Sequence, residues 1–275
     1  MILCQLTDMH IRAPGSLAYG RVDTNAFFAA AIAELKMLRP APDVYVLTGD
    51  LTDFGRDDEY QTLANGVAQL GKPTYLLPGN HDSRGALRRA FPNHNYLQGD
   101  APFIQYRIEL DGLALIALDT LVPEHGHGTL DSARIDWLRQ HLDHQTPTVI
   151  AMHHPPFQCG IDHMDKLGLL AGVGELETLL RDYSNIERII CGHVHRSIQM
   201  RFANTFASTC PSPAHQVALD LSANAPSCYC FEPPGYQLHV WRQGHLITHT
   251  GVFGNYAGPY PFYGADGKLL DGVVS

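Results

Sequence analysis

The chain has 275 residues, 45% of them hydrophobic and 17% charged, so it is long enough to bury a full core, and its composition excludes a disordered protein. The formal net charge of −9 and the scattered lysines and arginines argue against a nucleic-acid partner and favour a small-molecule ligand. Histidine is the commonest metal ligand, and the 16 histidines make a metal site the first feature to look for.

Short β-rich runs alternate with amphipathic stretches over about the first 195 residues, which predicts an α/β fold. Asp111-Gly112 between two alternating runs predicts a hairpin, so part of the sheet system is expected to be antiparallel. The predicted strands are Ile2–Leu6, Val44–Thr48, Thr74–Leu77, Ile104–Leu110, Leu113–Leu118, Thr148–Met152 and Ile186–Cys191. The predicted helices are Asn25–Leu38, Asp58–Leu70, Arg84–Phe91, Ser132–His141 and Val173–Tyr183.

Past His195 the composition changes. Two segments, Gln216–Pro234 and Tyr256–Ser275, are rich in Gly, Pro and Tyr, and no linker isolates them. We therefore divide the chain into a core over residues 1–200 and a segment over 201–275 that completes the sheets, covers a site and takes part in oligomerisation. The strands predicted in this segment are Ser197–Phe202, Thr205–Thr209, Gln237–Trp241 and His245–Thr250.

No apolar run approaches the roughly 20 residues of a membrane helix, and the amino terminus lacks the basic and apolar regions of a signal peptide. We expect a cytoplasmic protein with no membrane partner. Six cysteines are too few for a disulfide scaffold of this length, and none has paired zinc-site spacing. Cys191, at the end of an apolar strand, should point into the core, while Cys228 and Cys230 leave open a surface disulfide, an intersubunit bridge or free thiols.

Five short polar segments each follow the end of a predicted strand. In open α/β sheets, the loops at the carboxyl ends of the strands converge on one crevice, so these distant residues can meet. Each segment alone is weak, since a buried histidine bonded to a carbonyl is common, but the five in this order make chance improbable. Glycines in three of them allow sharp turns and close approach to a ligand. The segments are Asp8-Met9-His10, Gly49-Asp50, Gly79-Asn80-His81-Asp82, His153-His154 and Gly192-His193-Val194-His195.

These segments resemble the signature of the calcineurin-like metallophosphoesterases: D-x-H, G-D, G-N-H-D, H and G-H-x-H. The flanking stretches Gly49–Gly55, Leu77–Asp82 and Met152–Pro156 are similar to those of the class III cyclic-nucleotide phosphodiesterases and their glycerophosphodiesterase relatives. Tyr256–Pro259 also resembles the glycerophosphodiesterase tail, so the likeness spans nearly the whole chain. The resemblance implies a four-layer α-β-β-α sandwich of two mixed sheets with helices on the outer faces and metals at one end.

The resemblance also implies two metal sites that share Asp50. Asp50 offers two oxygens and can bridge, Asn80 supplies a neutral oxygen, and imidazoles complete a shell suited to two divalent transition-metal ions, Fe, Mn, Zn or Co. No thiolate belongs to the set, which argues for open positions where water and substrate bind. The first ion would be held by Asp8, His10, Asp50 and His195, and the second by Asp50, Asn80, His153 and His193.

Two such ions, roughly 3.5–4 Å apart, would activate a water to hydroxide and neutralise charge on a phosphoryl group. Asp50 and His81 are then the implied catalytic residues, with His81 donating a bond to the leaving alkoxide. Asn80, His81 and His215 are the implied substrate contacts, although His215 is equally explained as a structural histidine. Asp53 or Asp82 either orients a histidine or caps a turn, and His154 is assigned to a supporting position.

The favoured function is a binuclear metal-dependent phosphodiesterase acting on small organic phosphodiesters. Both 3′,5′-cyclic nucleotides and glycerophosphodiesters fit as substrates. The alternatives are a phosphomonoesterase or nuclease of the same superfamily, or a non-catalytic protein-binding scaffold, which the complete set of seven donors disfavours. The aromatic tail around Tyr256–Tyr263 predicts a homodimer or a higher homo-oligomer.

Overall fold

The computed structural model describes residues 1–99 and 101–270, so the last five residues of the predicted tail segment lie outside the described residues. The helices are α1 (Thr24–Leu35), α2 (Asp57–Ala68), α3 (Arg84–Ala90), α4 (Ser132–His141), α5 (Asp162–Asp165) and α6 (Val173–Leu180). The strands are β1 (Ile2–Leu6), β2 (Val44–Thr48), β3 (Thr74–Leu77), β4 (Tyr106–Leu110), β5 (Leu113–Leu118), β6 (Gly128–Thr129), β7 (Thr148–Met152), β8 (Leu169–Ala171), β9 (Ile186–Cys191), β10 (Ile198–Phe202), β11 (Thr205–Thr209), β12 (Gln216–Val217), β13 (Tyr229–Cys230), β14 (Gly235–Arg242) and β15 (His245–Val252).

Two mixed sheets form the centre of the fold. The first has the order β15-β14-β1-β2-β3, in which β1, β2 and β3 are parallel and β14 runs antiparallel to β1. The second has the order β10-β11-β9-β7-β5-β4, with four parallel central strands and antiparallel edges. The strands after residue 200 thus pair inside both sheets, β14 beside β1 and β11 beside β9.

Alternate residues of the second sheet enter two different cores, which defines the layers. Leu115 and Val149 belong to the core shared with the first sheet and with α1, α2 and α3. Their neighbours Ile116 and Ile150 belong to the core shared with α4 and α6. Because successive strand residues point to opposite faces, the two sheets pack face to face with helices outside each. The predicted four-layer α/β sandwich is confirmed.

A buried polar side chain ties the two sheets together near the edge that carries the polar loops. Gln5 on β1 donates from Nε2 to Thr48 Oγ1 on β2, at 2.9 Å, and to the Cys191 carbonyl on β9, also at 2.9 Å. Buried polar groups need such partners, and these two bonds span both sheets. The carboxyl ends of β1, β2 and β9 are therefore held at one level.

Several predicted boundaries were wrong by a few residues. The strand expected from Ile104 begins at Tyr106, because the Ile104 amide donates to the Asp119 carboxylate at 2.8 Å instead of joining the sheet. The helix expected to reach Leu38 ends at Leu35, where tight turns lead into Pro40, a residue that disfavours helix just before it. The short elements β6, β8, α5, β12 and β13 were not predicted, since two to four residues carry no periodic pattern.

All six cysteines are free thiols. Cys191 is fully buried in the outer core of the second sheet, as predicted. Cys228 and Cys230 are free thiols, so they do not form the disulfide that the sequence left open. Over residues 1–99 and 101–270, no helix is both long enough and apolar enough to span a bilayer.

Candidate metal centre

The structure brings together all seven side chains that the sequence motifs single out as metal donors. Each lies just past the carboxyl end of a parallel strand. Asp8 and His10 follow β1, Asp50 follows β2 and Asn80 follows β3 in the first sheet, while His153 follows β7 and His193 and His195 follow β9 in the second. The two sheets present these ends at the same edge of the sandwich, so one crevice receives donors from both.

The first donor group contains Asp8, His10 and His195, whose donor atoms all lie within 4.8 Å of one another. His195 Nε2 is 3.4 Å from Asp8 Oδ1 and 3.1 Å from His10 Nε2. Asp50 Oδ2 lies 3.6 Å from His10 Nε2. These are the four residues expected to hold the first ion.

The second donor group contains Asn80, His153 and His193. Asn80 Oδ1 is 3.1 Å from His153 Nε2 and 3.1 Å from His193 Nδ1. Asp50 Oδ2 is 3.4 Å from His153 Nε2, so one carboxylate oxygen lies between the two donor groups. Its position is the one required of a bridging ligand.

The hydrogen bonds of the imidazoles show that the site suits cations. His195 Nδ1 donates to the His215 carbonyl at 2.9 Å, and His153 Nδ1 donates to the Thr48 carbonyl at 2.8 Å. With Nδ1 as the hydrogen-bond donor, each Nε2 presents a lone pair when the ring is in the neutral form that binds a metal. The His195 lone pair faces another ring nitrogen and the His153 lone pair faces amide and carboxylate oxygens. A metal ion between these atoms would replace any proton held there, because an imidazole binds a metal through a deprotonated nitrogen.

Burial and charge act in different directions on these rings. Burial, helped by His153, lowers the pKa of His193 to about 3, and burial, helped by His10, lowers the pKa of His195 to about 3. Burial also opposes a charge on His153, but the Asp50 carboxylate outweighs it and raises the pKa of His153 to about 9. His193 and His195 are therefore neutral, whereas the Asp50 carboxylate attracts positive charge, and a cation site needs both kinds of group.

Five of the seven donors lie on left-handed backbone, with φ of 55° at Asp8, 45° at His10, 46° at Asp50, 71° at His193 and 54° at His195. Side-chain-bearing residues rarely adopt this conformation, and its cost of roughly 1–3 kcal/mol per residue is tolerated mainly where function requires it. The sharp turns aim each side chain back over the strand end toward the crevice.

The glycines predicted to allow close approach do so. Gly49 has a φ of +91°, and a Cβ there would lie 2.5 Å from His153 Nδ1. A Cβ at Gly79 would overlap the Asp50 carboxylate, and one at Gly192 would overlap the Thr7 hydroxyl. Larger residues at these positions would displace a donor directly.

Asp53 and Asp82 take different supporting roles. Asp53 Oδ1 accepts from His10 Nδ1 at 3.1 Å, and Oδ2 accepts from Arg12 Nη1 at 2.6 Å, so Asp53 orients a donor ring. Asp82 instead ties two donor loops: its carboxylate accepts from the amides of Leu51 and Thr52 and of Gly79. Of the two alternatives left open by the sequence, the first describes Asp53 and the second Asp82.

His81 lies beside the donors without joining them. Its Nδ1 donates to the Asp53 carbonyl at 2.8 Å, and its amide donates to Asp50 Oδ1 at 2.9 Å. The ring stands edge-on to His10 with centroids 4.7 Å apart. About a third of the side chain is exposed, so Nε2 is left to meet a ligand in the crevice.

Two further histidines behave differently. His215 is buried beside His195, with ring centroids 4.8 Å apart, and its Nδ1 has no partner among the described residues. His154 Nδ1 accepts from the Thr120 hydroxyl at 2.8 Å and its Nε2 donates to the Gly126 carbonyl at 3.2 Å. His215 thus retains a free nitrogen, whereas His154 supports the site from behind.

A cavity of about 340 Å³ opens over the donors. Its walls include residues that the sequence motifs did not indicate, namely Tyr19, Met164, Leu167, Cys228 and Tyr229. Tyr19 lies on left-handed backbone (φ 51°) and packs edge-on against His215. The Tyr19-Gly20 turn was the one available signal for this wall; the other residues arrive from loops with no recognisable pattern.

The sequence profile of the calcineurin-like phosphoesterase family matches residues 1–197. The chain belongs to this family. This calcineurin-like phosphoesterase is 37% identical over 274 residues to a probable glycerophosphodiester phosphodiesterase, GpdQ, of Arcobacter nitrofigilis, covering 98% of the chain and 100% of the relative. It is 33% identical over 261 residues to a probable cyclic nucleotide phosphodiesterase of Rhodopseudomonas palustris, covering 92% of the chain and 93% of that protein.

A solved dimetal phosphatase from Danio rerio has the same fold, with a TM-score of 0.61 at 13% identity over 92% of the chain and 99% of that structure. At this identity the likeness supports the fold alone. The arrangement of layers described for this calcineurin-like phosphoesterase is thus found in a distant sequence.

We predict that Asp53→Asn lowers the affinity for the ion nearest His10 by about 10–100-fold, the usual effect of losing a carboxylate that orients a ligand. Competition for Mn²⁺ or Zn²⁺ with a chromogenic chelator measures this. Asp57→Asn is the matched control, because its exposed carboxylate pairs with Arg89 on the surface, far from any candidate metal ligand in sequence. An unchanged affinity in Asp53→Asn would contradict the orienting role.

Proposed function

We propose that this protein is a metal-dependent phosphodiesterase that hydrolyses small organic phosphodiesters at the crevice formed by the seven donors. The position of Asp50 Oδ2, 3.6 Å from His10 Nε2 and 3.4 Å from His153 Nε2, carries the proposal, since a shared carboxylate is the mark of a two-ion site. The family and the names of the similar proteins, a glycerophosphodiesterase and a cyclic-nucleotide phosphodiesterase, support the reaction class.

Two divalent transition-metal ions fit the donors. Oxygen and imidazole nitrogen suit Fe, Mn, Zn or Co, among which availability decides. When bound, the ions supply Lewis-acid chemistry: they polarise the phosphate and activate water. The first ion is assigned to Asp8, His10, Asp50 and His195, and the second to Asp50, Asn80, His153 and His193.

The chain's own residues then position the substrate and move a proton. His81 is assigned to the leaving group: its Nδ1 donates to the Asp53 carbonyl, so the proton available to a departing oxygen is the one on Nε2. Asn80 and His215 are assigned to phosphate contacts, because both line the cavity.

The cavity favours a small diester over the alternatives. None of the described residues that line it is lysine or arginine, whereas a nuclease needs cations along a polyanionic strand. The presence of all seven donors disfavours a scaffold without activity.

We predict two ions per chain and loss of phosphodiesterase activity on chelation. Asp50→Ala should reduce activity more than any other single donor change, because it removes an oxygen near both donor groups and leaves the repulsion between two cations uncompensated. Elemental analysis and rates on bis(4-nitrophenyl) phosphate measure both effects, with Asp136→Ala on the exposed face of α4 as the control. A content of one ion or none per chain after reconstitution would contradict the two-ion assignment.

We predict that His81→Ala lowers kcat by about 10²–10⁴ on an alkyl leaving group while both ions remain bound. A nitrophenolate departs without a proton, so the loss on an aryl diester should be much smaller. Parallel rates on the two substrates, with metal content measured on the same sample, separate this role from a structural one. Equal losses on both substrates would leave His81 only a general electrostatic effect on the phosphoryl oxygens.

The proposal extends to assembly and location. The tail exposes four aromatic rings, Tyr256, Tyr260, Phe262 and Tyr263, each between 57% and 79% accessible, which suits burial in a homodimer or higher oligomer. Six free cysteines suit the reducing cytoplasm.

We predict that light scattering at micromolar concentration shows an assembly of at least two chains. The double variant Tyr260→Ser with Phe262→Ser should dissociate this assembly. A fully active wild-type monomer would contradict the assembly.

A further inference from the structure

A second cavity, of about 300 Å³, lies beside the metal centre and shares one wall with the first. Asn80 lines both cavities. The second is otherwise lined by Asp82, whose carboxylate is already bonded to the amides of the neighbouring loops, by Ser83 and Arg84 at the start of α3, and by Leu121, Pro123 and Glu124 from the loop after β5. The crevice is therefore open on two sides of the same donor residue.

The second cavity offers both a hydrogen-bond donor, the Arg84 guanidinium, and a hydrogen-bond acceptor, the Glu124 carboxylate. Arg84 is fixed by Asp119, with Nε to Oδ2 at 2.6 Å and Nη2 to Oδ1 at 2.8 Å, and its Nη1 has no partner within the described ranges. The Glu124 carboxylate is exposed and forms neither a hydrogen bond nor an ion pair with any described residue. Because Asp119 neutralises Arg84, the free carboxylate of Glu124 leaves this cavity able to accept hydrogen bonds from hydroxyl or ammonium groups.

A phosphodiester carries two alcohols, and only one of them leaves. His81, the residue assigned to the leaving alcohol, lines the first cavity and not the second. We infer that the second cavity binds the alcohol that stays on the phosphorus. This alcohol is small and carries a hydroxyl or ammonium group that donates a hydrogen bond to the Glu124 carboxylate. This inference rests on the proposed phosphodiesterase function and makes it more specific.

The two cavities favour one of the substrate classes left open above. In a 3′,5′-cyclic nucleotide both ester oxygens belong to one ribose, so no separate alcohol exists to fill the second cavity. An open-chain diester of two small alcohols places one on each side of Asn80. The geometry thus points to open-chain diesters with polar substituents as the substrates for which both sides of the site are used.

The test keeps the leaving group constant and varies the retained alcohol. The substrates are methyl, 2-hydroxyethyl and 2-aminoethyl 4-nitrophenyl phosphate, all of which release nitrophenolate. The variants are Glu124→Gln, which removes the charge, and Pro123→Trp, which fills the cavity. Leu167→Trp in the first cavity and Glu175→Gln, an exposed glutamate on α6, are the matched controls. Melting temperatures confirm that each variant is folded.

We expect Pro123→Trp to lower kcat/KM about tenfold for the 2-hydroxyethyl and 2-aminoethyl substrates. Glu124→Gln should lower kcat/KM about tenfold for the 2-aminoethyl substrate. Both effects should act chiefly through KM, because a lost hydrogen bond to the retained alcohol weakens binding. In both variants, kcat/KM for the methyl substrate should change less than about twofold, and Glu175→Gln should leave kcat/KM unchanged for all three substrates. Equal losses on all three substrates, no loss on any, or a selective loss only in Leu167→Trp would each overturn the inference. Failure of the wild type to hydrolyse any of the three would instead refute the proposed function.

Discussion

The candidate site depends on holding seven polar side chains at one point, where the carboxyl ends of strands from two sheets meet. Five of them lie on left-handed backbone, at roughly 1–3 kcal/mol each, and the ring nitrogens His10 Nε2 and His195 Nε2 approach to 3.1 Å. The left-handed backbone is unfavourable by itself. Hydrogen bonds between the loops hold it in place, and cations bound between the side chains would add to its stability.

The donor loops are held chiefly by one another. The Asp8 amide donates to the Gly49 carbonyl and the Gly192 amide to the His153 carbonyl, each at 3.0 Å, so neighbouring loops within each sheet are joined. The His193 amide donates to both Asp8 carboxylate oxygens, at 3.1 and 3.0 Å, which joins the second sheet to the first. A shift in one loop is therefore transmitted to the others. These bonds explain how a two-sheet sandwich keeps candidate metal ligands from both sheets within a few ångströms of one another.

The hydrogen-bond partner of each imidazole decides what that ring can do. His153 and His195 donate from Nδ1 to fixed carbonyls, which turns an Nε2 lone pair toward the other donors. His81 also donates from Nδ1 to a carbonyl, but its Nε2 faces the open crevice, where it can meet a substrate oxygen. The proposed division of these three chemically identical rings into metal ligands and a proton donor rests on their surroundings alone.

The sequence by itself determined the α/β class, most strands to within a residue or two, and the polar residues from Asp8 to His195 that meet at the crevice. Those features are local: hydrophobic period specifies an element, and polar residues at a strand end specify a loop. The resemblance to a known family supplied the layer order and the expected division of the donors. Only the tertiary structure decided that Asp53 orients His10 while Asp82 ties two loops, that Tyr19 and Tyr229 form a cavity wall, and that a second cavity meets the first at Asn80. These depend on contacts between residues far apart in the chain, whose pairing no local pattern encodes.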